Sequence, residues 1–311
     1  MTTKVFIDGK AGTTGLRIYE RLQLRNDIQL LTLSEDERKN PDCRKKMLNA
    51  CDIAFLCLPD DASREAVSMI ENPDVVVLDT STAHRTLDDW AYGFPELSPA
   101  FRQKVENSKR IAVPGCHASG FIAVVRPLID AGLLSADTLL TCHSLTGYSG
   151  GGKKMIAEYA DPQRPELFDA PRQYGLTQQH KHLKEMVKIT GCTTAPVFCP
   201  IVADYYSGML VTVPVFKSQL SGGATVEDIR KVYRDLYNNN MVFYVENGSE
   251  GGLLAGNAMS GKDSMQIMVE GNEDRILLIA RYDNLGKGAS GAAVECMNIV
   301  MKQAPETGLD L

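Results

Sequence analysis

Short apolar runs alternate with segments of helical spacing along the first third of the chain. Each run is nearly continuous in apolar residues, which is typical of strands buried on both faces of a parallel sheet. Leu16, Tyr19 and Leu22 follow the first run at the spacing of one helix face. The pattern predicts an α/β fold with a doubly wound parallel sheet. The predicted strands cover residues 5–7, 28–33, 53–58, 75–78 and 111–113.

The remainder of the chain is richer in strands and poorer in helices. One helix is predicted over residues 226–238, between runs that read as β-structure. Strands that follow one another without intervening helices indicate a mixed or antiparallel sheet, so we expect a second domain of the α+β class. The strands predicted there cover residues 138–145, 194–202, 208–216, 241–245 and 275–282.

Composition limits the class of protein. The 311 residues are 44% hydrophobic and 23% charged, which suits one large or two ordinary domains, and the net charge of -6 argues against a nucleic-acid partner. The eight cysteines are scattered without a C-x-x-C pair, as is typical of a reducing compartment. No signal peptide is expected, and no apolar run approaches the roughly 18 residues of a membrane span. A cytoplasmic protein without a membrane partner is expected.

Three glycines, Gly9, Gly12 and Gly15, stand between the first predicted strand and helix, with Thr13 and Thr14 among them. Glycines in such a turn let a phosphate group approach the N-terminus of the following helix. The loop therefore predicts dinucleotide binding in a Rossmann-type domain. The alternative is an ordinary turn from a strand into a helix.

The end of the second predicted strand bears on which dinucleotide binds. Sites for NAD usually place an acidic residue there, whereas this chain has Ser34, followed by a charged segment that contains Arg38 and Lys39. Ser34 and Arg38 are candidates to hold the 2′-phosphate of NADP. The sequence thus favours NADP over NAD, and the alternative is that Arg38 and Lys39 form part of a solvated face.

Cys116 stands at a predicted junction between a strand and a helix. Pro114 and Gly115 end the strand-like run before it, and small and apolar residues follow it. A thiol at the start of a helix meets unpaired N–H groups and the positive end of the helix dipole, which favour the thiolate. Since the thiolate is the nucleophilic form, Cys116 is the candidate nucleophile of a covalent enzyme. The alternative is a cysteine that packs as a small hydrophobe.

His180 and His182 lie where a further helix is predicted to open. A cysteine nucleophile needs a proton acceptor and donor, which either histidine can supply. Residues two apart on a helix point about 200° apart, so both face one site only if the helix has not yet begun. Metal ligands would prefer an i, i+4 spacing, so no metal is expected.

Two segments carry candidate contacts to a substrate. Arg85 follows the fourth predicted strand, at the edge where doubly wound sheets bind ligands, and its neighbour His84 is expected to be exposed. The loop after residues 138–145 combines glycines with Tyr148, Ser149 and Lys153, a composition suited to anions. A surface arginine and a simple loop are the respective alternatives.

A last turn, near the C-terminal end of the sequence, contains Asn284, Gly286 and Lys287 before a predicted helix. A glycine-rich helix start again suits contact with a phosphate or amide group, so these residues are candidate cofactor contacts. The helix is expected to complete the cofactor domain. The predicted domains are a dinucleotide-binding domain over 1–115 with 284–311, and a catalytic domain over 116–283.

Taken together, these segments resemble the N-acetyl-γ-glutamyl-phosphate reductases of arginine biosynthesis, in their shorter form, within the semialdehyde dehydrogenase superfamily. The resemblance covers essentially the whole chain, and Tyr92-Gly93-Phe94-Pro95-Glu96 matches one of its less specific motifs. The four motifs that carry it are Gly9-x-x-Gly12-x-x-Gly15, Val113-Pro114-Gly115-Cys116, His180-x-His182-x-x-Glu185 and Asn284-Leu285-Gly286-Lys287-Gly288-Ala289.

The resemblance implies reduction of an acyl phosphate, N-acetyl-L-glutamyl 5-phosphate, by NADPH to the 5-semialdehyde and phosphate, through a cysteine thioester. It also implies a Rossmann-type NADP domain and a catalytic domain like that of glyceraldehyde-phosphate dehydrogenase. Cys116 becomes the nucleophile and His180 the acid–base residue, while His182 and Glu185 become candidates for the surroundings of the substrate. Relatives of this kind are commonly oligomeric, so a homo-oligomer is expected.

Two positions depart from the longer form of the family. An aromatic residue follows the cysteine in that form, where this chain has His117. The longer form also has an arginine before the glycine that matches Gly208, where this chain has Ser207. The candidates to bind the substrate carboxylate in place of that arginine are Lys153, Lys154 and Arg85.

Three other functions compete with this interpretation. An aspartate-semialdehyde dehydrogenase shares the chemistry, but the Pro114-Gly115-Cys116 signature disfavours it. A catalytically silent NADP-binding sensor predicts that Cys116 does not react with thiol reagents at neutral pH. An interaction protein with a structural metal at His180 and His182 predicts bound metal in the purified protein.

Overall fold

The computed structural model describes residues 2–311, which divide into two compact units. The first unit contains the chain up to Pro95, together with Pro99–Pro114 and Ala289–Leu309. The second contains Glu96–Ser98, Gly115–Gly288 and Asp310–Leu311. Residues 284–288, which the sequence assigns to the cofactor domain, thus lie in the second unit.

The first unit is built on a six-stranded sheet in which all neighbouring strands are parallel. The strands are β1 (Thr3–Asp8), β2 (Ile28–Leu31), β3 (Ile53–Leu56), β4 (Val76–Asp79), β5 (Ala91–Tyr92) and β6 (Arg110–Ala112), in the order β2-β1-β3-β4-β6-β5. Every residue of β3 and β4 is buried, as expected for strands covered on both faces. The predicted parallel sheet is confirmed.

The helices of this unit cover the sheet with apolar faces. They are α1 (Thr13–Leu22), α2 (Pro41–Ala50), α3 (Asp60–Ser68), α4 (Pro99–Asn107) and a C-terminal helix over Gly291–Val300. The C-terminal helix is buried along almost its whole length and shares a hydrophobic cluster with Val5, Ile7 and Phe55. The charged helix α2 was not predicted, because it buries only Leu48 and shows little apolar periodicity; Asn40 caps its start, where Oδ1 accepts from the Asp42 N–H at 2.9 Å.

The second unit is built on a seven-stranded mixed sheet. Its strands are β7 (Thr141–Gly147), β8 (Arg172–Gln173), β9 (Val197–Ala203), β10 (Met209–Phe216), β11 (Val242–Tyr244), β12 (Met265–Gly271) and β13 (Arg275–Tyr282), in the order β11-β12-β13-β10-β7-β9-β8. Strand β10 is antiparallel to both neighbours, whereas β7 and β9 are parallel. The predicted mixed sheet is confirmed, although β8 and β12 were not predicted.

The helices of the second unit are α5 (Cys116–Asp130), α6 (Gly152–Ala160), α7 (His182–Thr190) and α8 (Val226–Leu236). Helix α5 packs closely on the sheet at Gly120, where a Cβ atom would lie 2.7 Å from the Tyr282 hydroxyl and 2.8 Å from Val211 Cβ. Glycine therefore sets the depth of the helix against β10 and β13. Within residues 2–311, no helix combines the length and apolarity needed to cross a bilayer.

Candidate active site

Cys116 is the first residue of α5, as the sequence predicts. Gly115 precedes it in an extended conformation, with φ -80° and ψ 142°, and forms the N-cap. The thiol is half-buried. The N–H groups of the first turn and the positive end of the helix dipole meet at this residue, and both stabilise a thiolate over a thiol.

Two distant side chains fix the turn that carries Cys116. The buried carboxylate of Glu185, on α7, accepts a hydrogen bond from the Gly115 N–H at 2.7 Å. The Tyr282 hydroxyl, at the end of β13, donates to the Cys116 carbonyl at 2.5 Å and accepts from the Gly120 N–H at 3.0 Å. Burial raises the pKa of Tyr282 well above that of a free phenol, so this hydroxyl keeps its proton as a donor.

The motif after β13 folds around Asp283. This buried carboxylate accepts from the Leu285 N–H at 2.7 Å, the Gly286 N–H at 3.2 Å and the Ser207 hydroxyl at 2.8 Å. A Cβ at Gly286 would lie 2.0 Å from the Lys262 carbonyl oxygen. The turn therefore needs glycine at this position for packing alone, and Ser207 occupies a structural position there.

The other polar residues of this motif are also engaged within the second unit. Asn284 accepts from the Gly208 N–H at 2.9 Å and donates to the Ser149 hydroxyl at 3.0 Å. The Lys287 ammonium pairs with the Glu96 carboxylate at 2.5 Å, with both side chains buried. The predicted contact of Asn284, Gly286 and Lys287 with the cofactor stays a prediction. One further glycine of the motif, Gly288, packs against the nucleophile, since its Cβ would lie 3.2 Å from Cys116 Cβ.

The side chains of His180 and His182 lie close together in the structure. Helix α7 begins at His182, so His180 lies in the turn before it and escapes the opposed orientation of a regular helix. Their ring centroids are 4.8 Å apart, and each lies within 6 Å of the His117 ring, at 5.8 Å for His180 and 5.7 Å for His182. In residues 2–311, no group of three or more His, Cys, Asp or Glu side chains is arranged to hold a metal ion.

His117 is a site residue for which the sequence predicted no role. It is the second residue of α5 and is buried, next to Cys116. Burial, with smaller contributions from His180 and Lys181, lowers its pKa to about 3. The only signal in the sequence was its departure from the aromatic residue that follows the cysteine in the longer form of the family.

The predicted anion loop after β7 is more structured than the sequence indicates. The ring of Tyr148 stacks on Tyr159, with centroids 4.6 Å apart and planes at 11°. Ser149 is buried and accepts the hydrogen bond from Asn284. Lys153 is exposed on α6, and Lys154 pairs with Glu158 at 3.9 Å. Both lysines thus present exposed side chains on α6, while Ser149 serves the packing of the motif.

Arg85 is buried in the first unit. Its guanidinium donates to the carbonyls of Val113 and Thr80, both at 2.8 Å. These bonds tie the segment after β4 to the segment after β6 and give Arg85 a structural position. They do not support the predicted contact of Arg85 with the substrate.

The expectation that His84 is exposed was wrong. Its side chain is buried, stacks on Trp90 with centroids 4.0 Å apart, and its Nδ1 lies 2.6 Å from Asp79 Oδ2. Asp79 also accepts from the hydroxyls of Ser81 and Ser63, both at 2.7 Å. Although burial works to raise the pKa of Asp79, the hydrogen bonds from His84, Ser81 and Ser63 together lower it. Residue spacing did not indicate this, because the irregular loop after β4 turns back and packs His84 between Asp79 and Trp90.

The glycine loop of the first unit fits a dinucleotide. Gly9 has a φ of +86°, and a Cβ there would lie 2.2 Å from the Cys57 carbonyl oxygen. A Cβ at Gly15 would lie 2.6 Å from the Gly9 carbonyl oxygen, and Gly12 is the extended N-cap of α1. Thr13 and Thr14 form the first turn of that helix. Only glycines allow this close approach, which leaves helix N–H groups open to a phosphate.

A cavity of about 610 Å³ adjoins this loop within the first unit. Gly9 and Lys10 line one part of it, and Glu35 and Arg38 line another. Arg38 pairs with Glu35 at 3.1 Å on the surface. The Ser34 hydroxyl donates to Glu37 at 2.8 Å, so Ser34 is already engaged by a carboxylate. The glycine turn and the adjoining cavity suit a dinucleotide.

Two family models match the chain. The semialdehyde dehydrogenase, NAD binding domain matches residues 4–105, and the semialdehyde dehydrogenase, dimerisation domain matches residues 116–284. Solved structures share the fold at low sequence identity. Aspartate semialdehyde dehydrogenase II of Vibrio cholerae, complexed with ASA, has a TM-score of 0.74 and 18% identity over 97% of this chain and 99% of its own. The Candida albicans aspartate semialdehyde dehydrogenase with NADP has a TM-score of 0.66 and 15% identity over the same shares.

Curated relatives are much closer in sequence. N-acetyl-gamma-glutamyl-phosphate reductase 2 of Nostoc sp. is 43% identical, over 98% of this chain and 99% of its own. N-acetyl-gamma-glutamyl-phosphate reductase of Rhizobium meliloti is 45% identical, over 97% of this chain and 99% of its own. Similarity at this level over nearly full length identifies a family, so the chain belongs to the N-acetyl-γ-glutamyl-phosphate reductases, NADP-dependent oxidoreductases of the semialdehyde dehydrogenase family.

Proposed function

We propose that the protein reduces N-acetyl-L-glutamyl 5-phosphate to N-acetyl-L-glutamate 5-semialdehyde and phosphate in arginine biosynthesis, with Cys116 as the nucleophile. The observation that carries the proposal is the half-buried thiol at the first position of α5, on a turn whose backbone is held by Glu185 at the Gly115 N–H and by Tyr282 at the Cys116 carbonyl. The names of the relatives support the substrate. A nucleophile must be both activated and fixed, and this arrangement supplies both conditions.

The first half of the reaction forms a thioester. The Cys116 thiolate attacks the acyl carbon, a carbon–sulfur bond forms, and the bond to the phosphate oxygen breaks, which releases inorganic phosphate. Negative charge develops on the acyl oxygen during the attack, and the N–H groups of the first turn of α5 are positioned to stabilise it. The hydrogen bond from the Gly115 N–H to Glu185 keeps the turn in place during this step.

The second half releases the aldehyde. The chemistry that NADPH supplies when bound is a hydride to the acyl carbon of the thioester. His180 transfers the proton to or from the former carbonyl oxygen, and Cys116 leaves as a thiolate when the aldehyde forms. His182 lies beside His180, and its backbone N–H donates to His180 Nδ1 at 3.3 Å, which orients the ring.

Residues of both units are proposed to bind NADP and the substrate. The first turn of α1 and its glycines bind the pyrophosphate, and Arg38 binds the 2′-phosphate of NADP. Lys153 binds the substrate carboxylate, and Tyr148 contacts the substrate. The residues proposed to hold NADP are Gly9, Gly12, Thr13, Thr14, Gly15, Ser34, Arg38, Asn284, Gly286 and Lys287.

We further propose that the protein is a cytoplasmic homo-oligomer. The match of residues 116–284 to a model described as a dimerisation domain supports association through the second unit. All eight cysteines are free, in accord with a reducing compartment.

The test follows the reverse reaction, because the acyl phosphate is labile. The protein is mixed with N-acetylglutamate semialdehyde in phosphate buffer, and NADPH formation is followed by absorbance with NADP and NAD in parallel. Turnover is expected to depend on phosphate, to favour NADP and to be abolished in Cys116→Ala. Cys199→Ala, which removes another half-buried thiol of the second unit, is the matched control.

Two results would contradict the proposal. Turnover that persists in Cys116→Ala would exclude the thioester mechanism. Turnover of aspartate semialdehyde in preference to N-acetylglutamate semialdehyde would replace the proposed substrate while leaving the chemistry in place.

A further inference from the structure

His117 is held at both ring nitrogens. Its Nδ1 lies 2.7 Å from the Ser144 hydroxyl, and its Nε2 lies 2.6 Å from the Tyr174 hydroxyl. Burial, and then the nearness of Cys116, raise the pKa of Tyr174, so that phenol stays protonated. A protonated phenol donates to Nε2, which leaves the ring proton on Nδ1 for Ser144. The three side chains thus form one directed hydrogen-bonded chain beside the nucleophile.

His180 is held by rings rather than by a helix. Four aromatic side chains surround it: the nearby His182 at 4.8 Å and, from other segments, His117 at 5.8 Å, Tyr174 at 6.1 Å and Phe198 at 5.1 Å between centroids. His180 lies in the turn before α7, where its carbonyl accepts from the Leu183 N–H at 3.0 Å. The orientation of its ring therefore depends both on the rings that enclose it and on the His182 N–H, which donates to Nδ1 at 3.3 Å.

The surroundings also determine which proton His180 exchanges. Since Nδ1 accepts from the His182 N–H, the proton of the neutral ring is on Nε2. Burial, and then the charge of Lys181, lower the pKa of His180. The groups that face it from neighbouring elements are His117, Tyr174 and His182, and His117 stays neutral because its own pKa is low.

We propose that His117, locked between Ser144 and Tyr174, is a positioning residue that holds the His180 ring in the orientation and degree of burial required for proton transfer at Cys116. This inference rests on the proposed function, since the proton transfer belongs to that reaction. It gives a role to the buried histidine that stands where the longer form of the family has an aromatic residue: α5 carries His117, and the two ring nitrogens anchor the ring to Ser144 on β7 and to Tyr174 after β8.

The first test measures the titration of the His180 ring in the absence of turnover. The titrations of the five histidine rings are followed by NMR of ¹³C-labelled histidine, with the His180 signal assigned from His180→Asn. His117→Phe keeps an aromatic ring and removes both nitrogens, while Tyr174→Phe removes only the hydroxyl. In both variants the His180 titration is expected to move toward the ordinary histidine value by roughly half a pH unit, because the loosened ring gains water. Tyr237→Phe, whose hydroxyl donates to Ala123 of α5 at 2.7 Å, is the control and should leave the titration unchanged.

The second test is kinetic. In both variants kcat should fall roughly tenfold with KM within about twofold, because orientation is lost while binding is kept. The acidic limb of the pH profile should move to higher pH together with the NMR titration. Wild-type titration and pH profile in both variants would overturn the inference. A wild-type protein without turnover, in which the His180 titration still moves in both variants, would uphold the coupling and overturn the proposed function instead.

Discussion

The hydroxyl of Tyr282 donates to the carbonyl of Cys116 at 2.5 Å, across 166 residues of chain. The same oxygen accepts from the Gly120 N–H at 3.0 Å, so it stands between the two backbone groups of one helical turn. The last residue of β13 thereby sets the position of the first residue of α5. The same hydroxyl therefore joins β13 to α5 and places the nucleophile.

Removing this hydroxyl should affect both stability and activity. Tyr282→Phe is expected to lower the free energy of unfolding by about 1–3 kcal/mol, because two buried backbone groups lose their partner. It should also lower kcat, since the first turn of α5 shifts. Urea unfolding and steady-state kinetics measure the two effects. The control is Tyr237→Phe, which removes another hydroxyl bonded to α5 and should cost stability without lowering kcat. Equal kcat in the two variants would contradict a role for Tyr282 at the nucleophile.

Glu185 should matter through its acceptor oxygen rather than its charge. Glu185→Ala leaves the buried Gly115 N–H without its 2.7 Å partner, which is expected to cost about 1–3 kcal/mol of stability and to lower kcat. Glu185→Gln keeps an amide oxygen in the same place and should retain most of both. Thermal unfolding and kcat are measured for the two variants side by side. A Gln variant as impaired as the Ala variant would show that the charge itself is needed.

Replacing only one residue of the buried Lys287–Glu96 ion pair is expected to lower the free energy of unfolding strongly. Lys287→Met leaves an uncompensated carboxylate in the interior of the second unit, with an expected loss of about 3–5 kcal/mol. Adding Glu96→Gln removes that charge and should recover a substantial part of the loss. Chemical denaturation of the single and double variants measures the coupling. A single-variant loss below about 1 kcal/mol, typical of exposed pairs, would contradict the burial of the pair.

The Asp79 cluster predicts a pH dependence of stability. The folded-state pKa of Asp79 is lowered, since the hydrogen bonds from His84, Ser81 and Ser63 outweigh burial. A lowered folded-state pKa contributes stability above the unfolded value, near 4, and this stability is lost as the pH falls through the folded value. In His84→Phe, which can keep the stack on Trp90, acid unfolding should begin at higher pH. His143→Gln removes an exposed histidine and should leave the acid transition unchanged. Coincident transitions in the two variants would contradict the prediction.

Arg38 is expected to determine the preference for NADP over NAD. Arg38→Ala is expected to raise the KM for NADP roughly tenfold and to leave the KM for NAD nearly unchanged, because only NADP carries the 2′-phosphate. Arg64→Ala is the matched control, since Arg64 is also exposed and pairs with an acidic residue three positions earlier, at 3.2 Å. An equal change in both KM values would indicate that Arg38 maintains the shape of the cavity and does not bind the 2′-phosphate.

The sequence by itself determined the local secondary structure along the chain. The apolar runs predicted the parallel strands, the glycines marked the turn before α1, and Pro114 with Gly115 placed Cys116 at the start of a helix. Each of these depends on neighbours within a few residues, so spacing and residue type are sufficient. The same local reasoning made Cys116 the candidate nucleophile, and the resemblance to the reductase family added the substrate and the choice of His180.

Tertiary structure alone decided which side chains support that local order. Glu185 meets Gly115 across 70 residues, and Lys287 meets Glu96 across 191. His84 was expected at the surface and is buried against Asp79, and His117, without a predicted role, lies among the rings around His180. The physical reason is that periodicity encodes which face of an element is buried, whereas the partner of a buried polar group is set by how the elements pack.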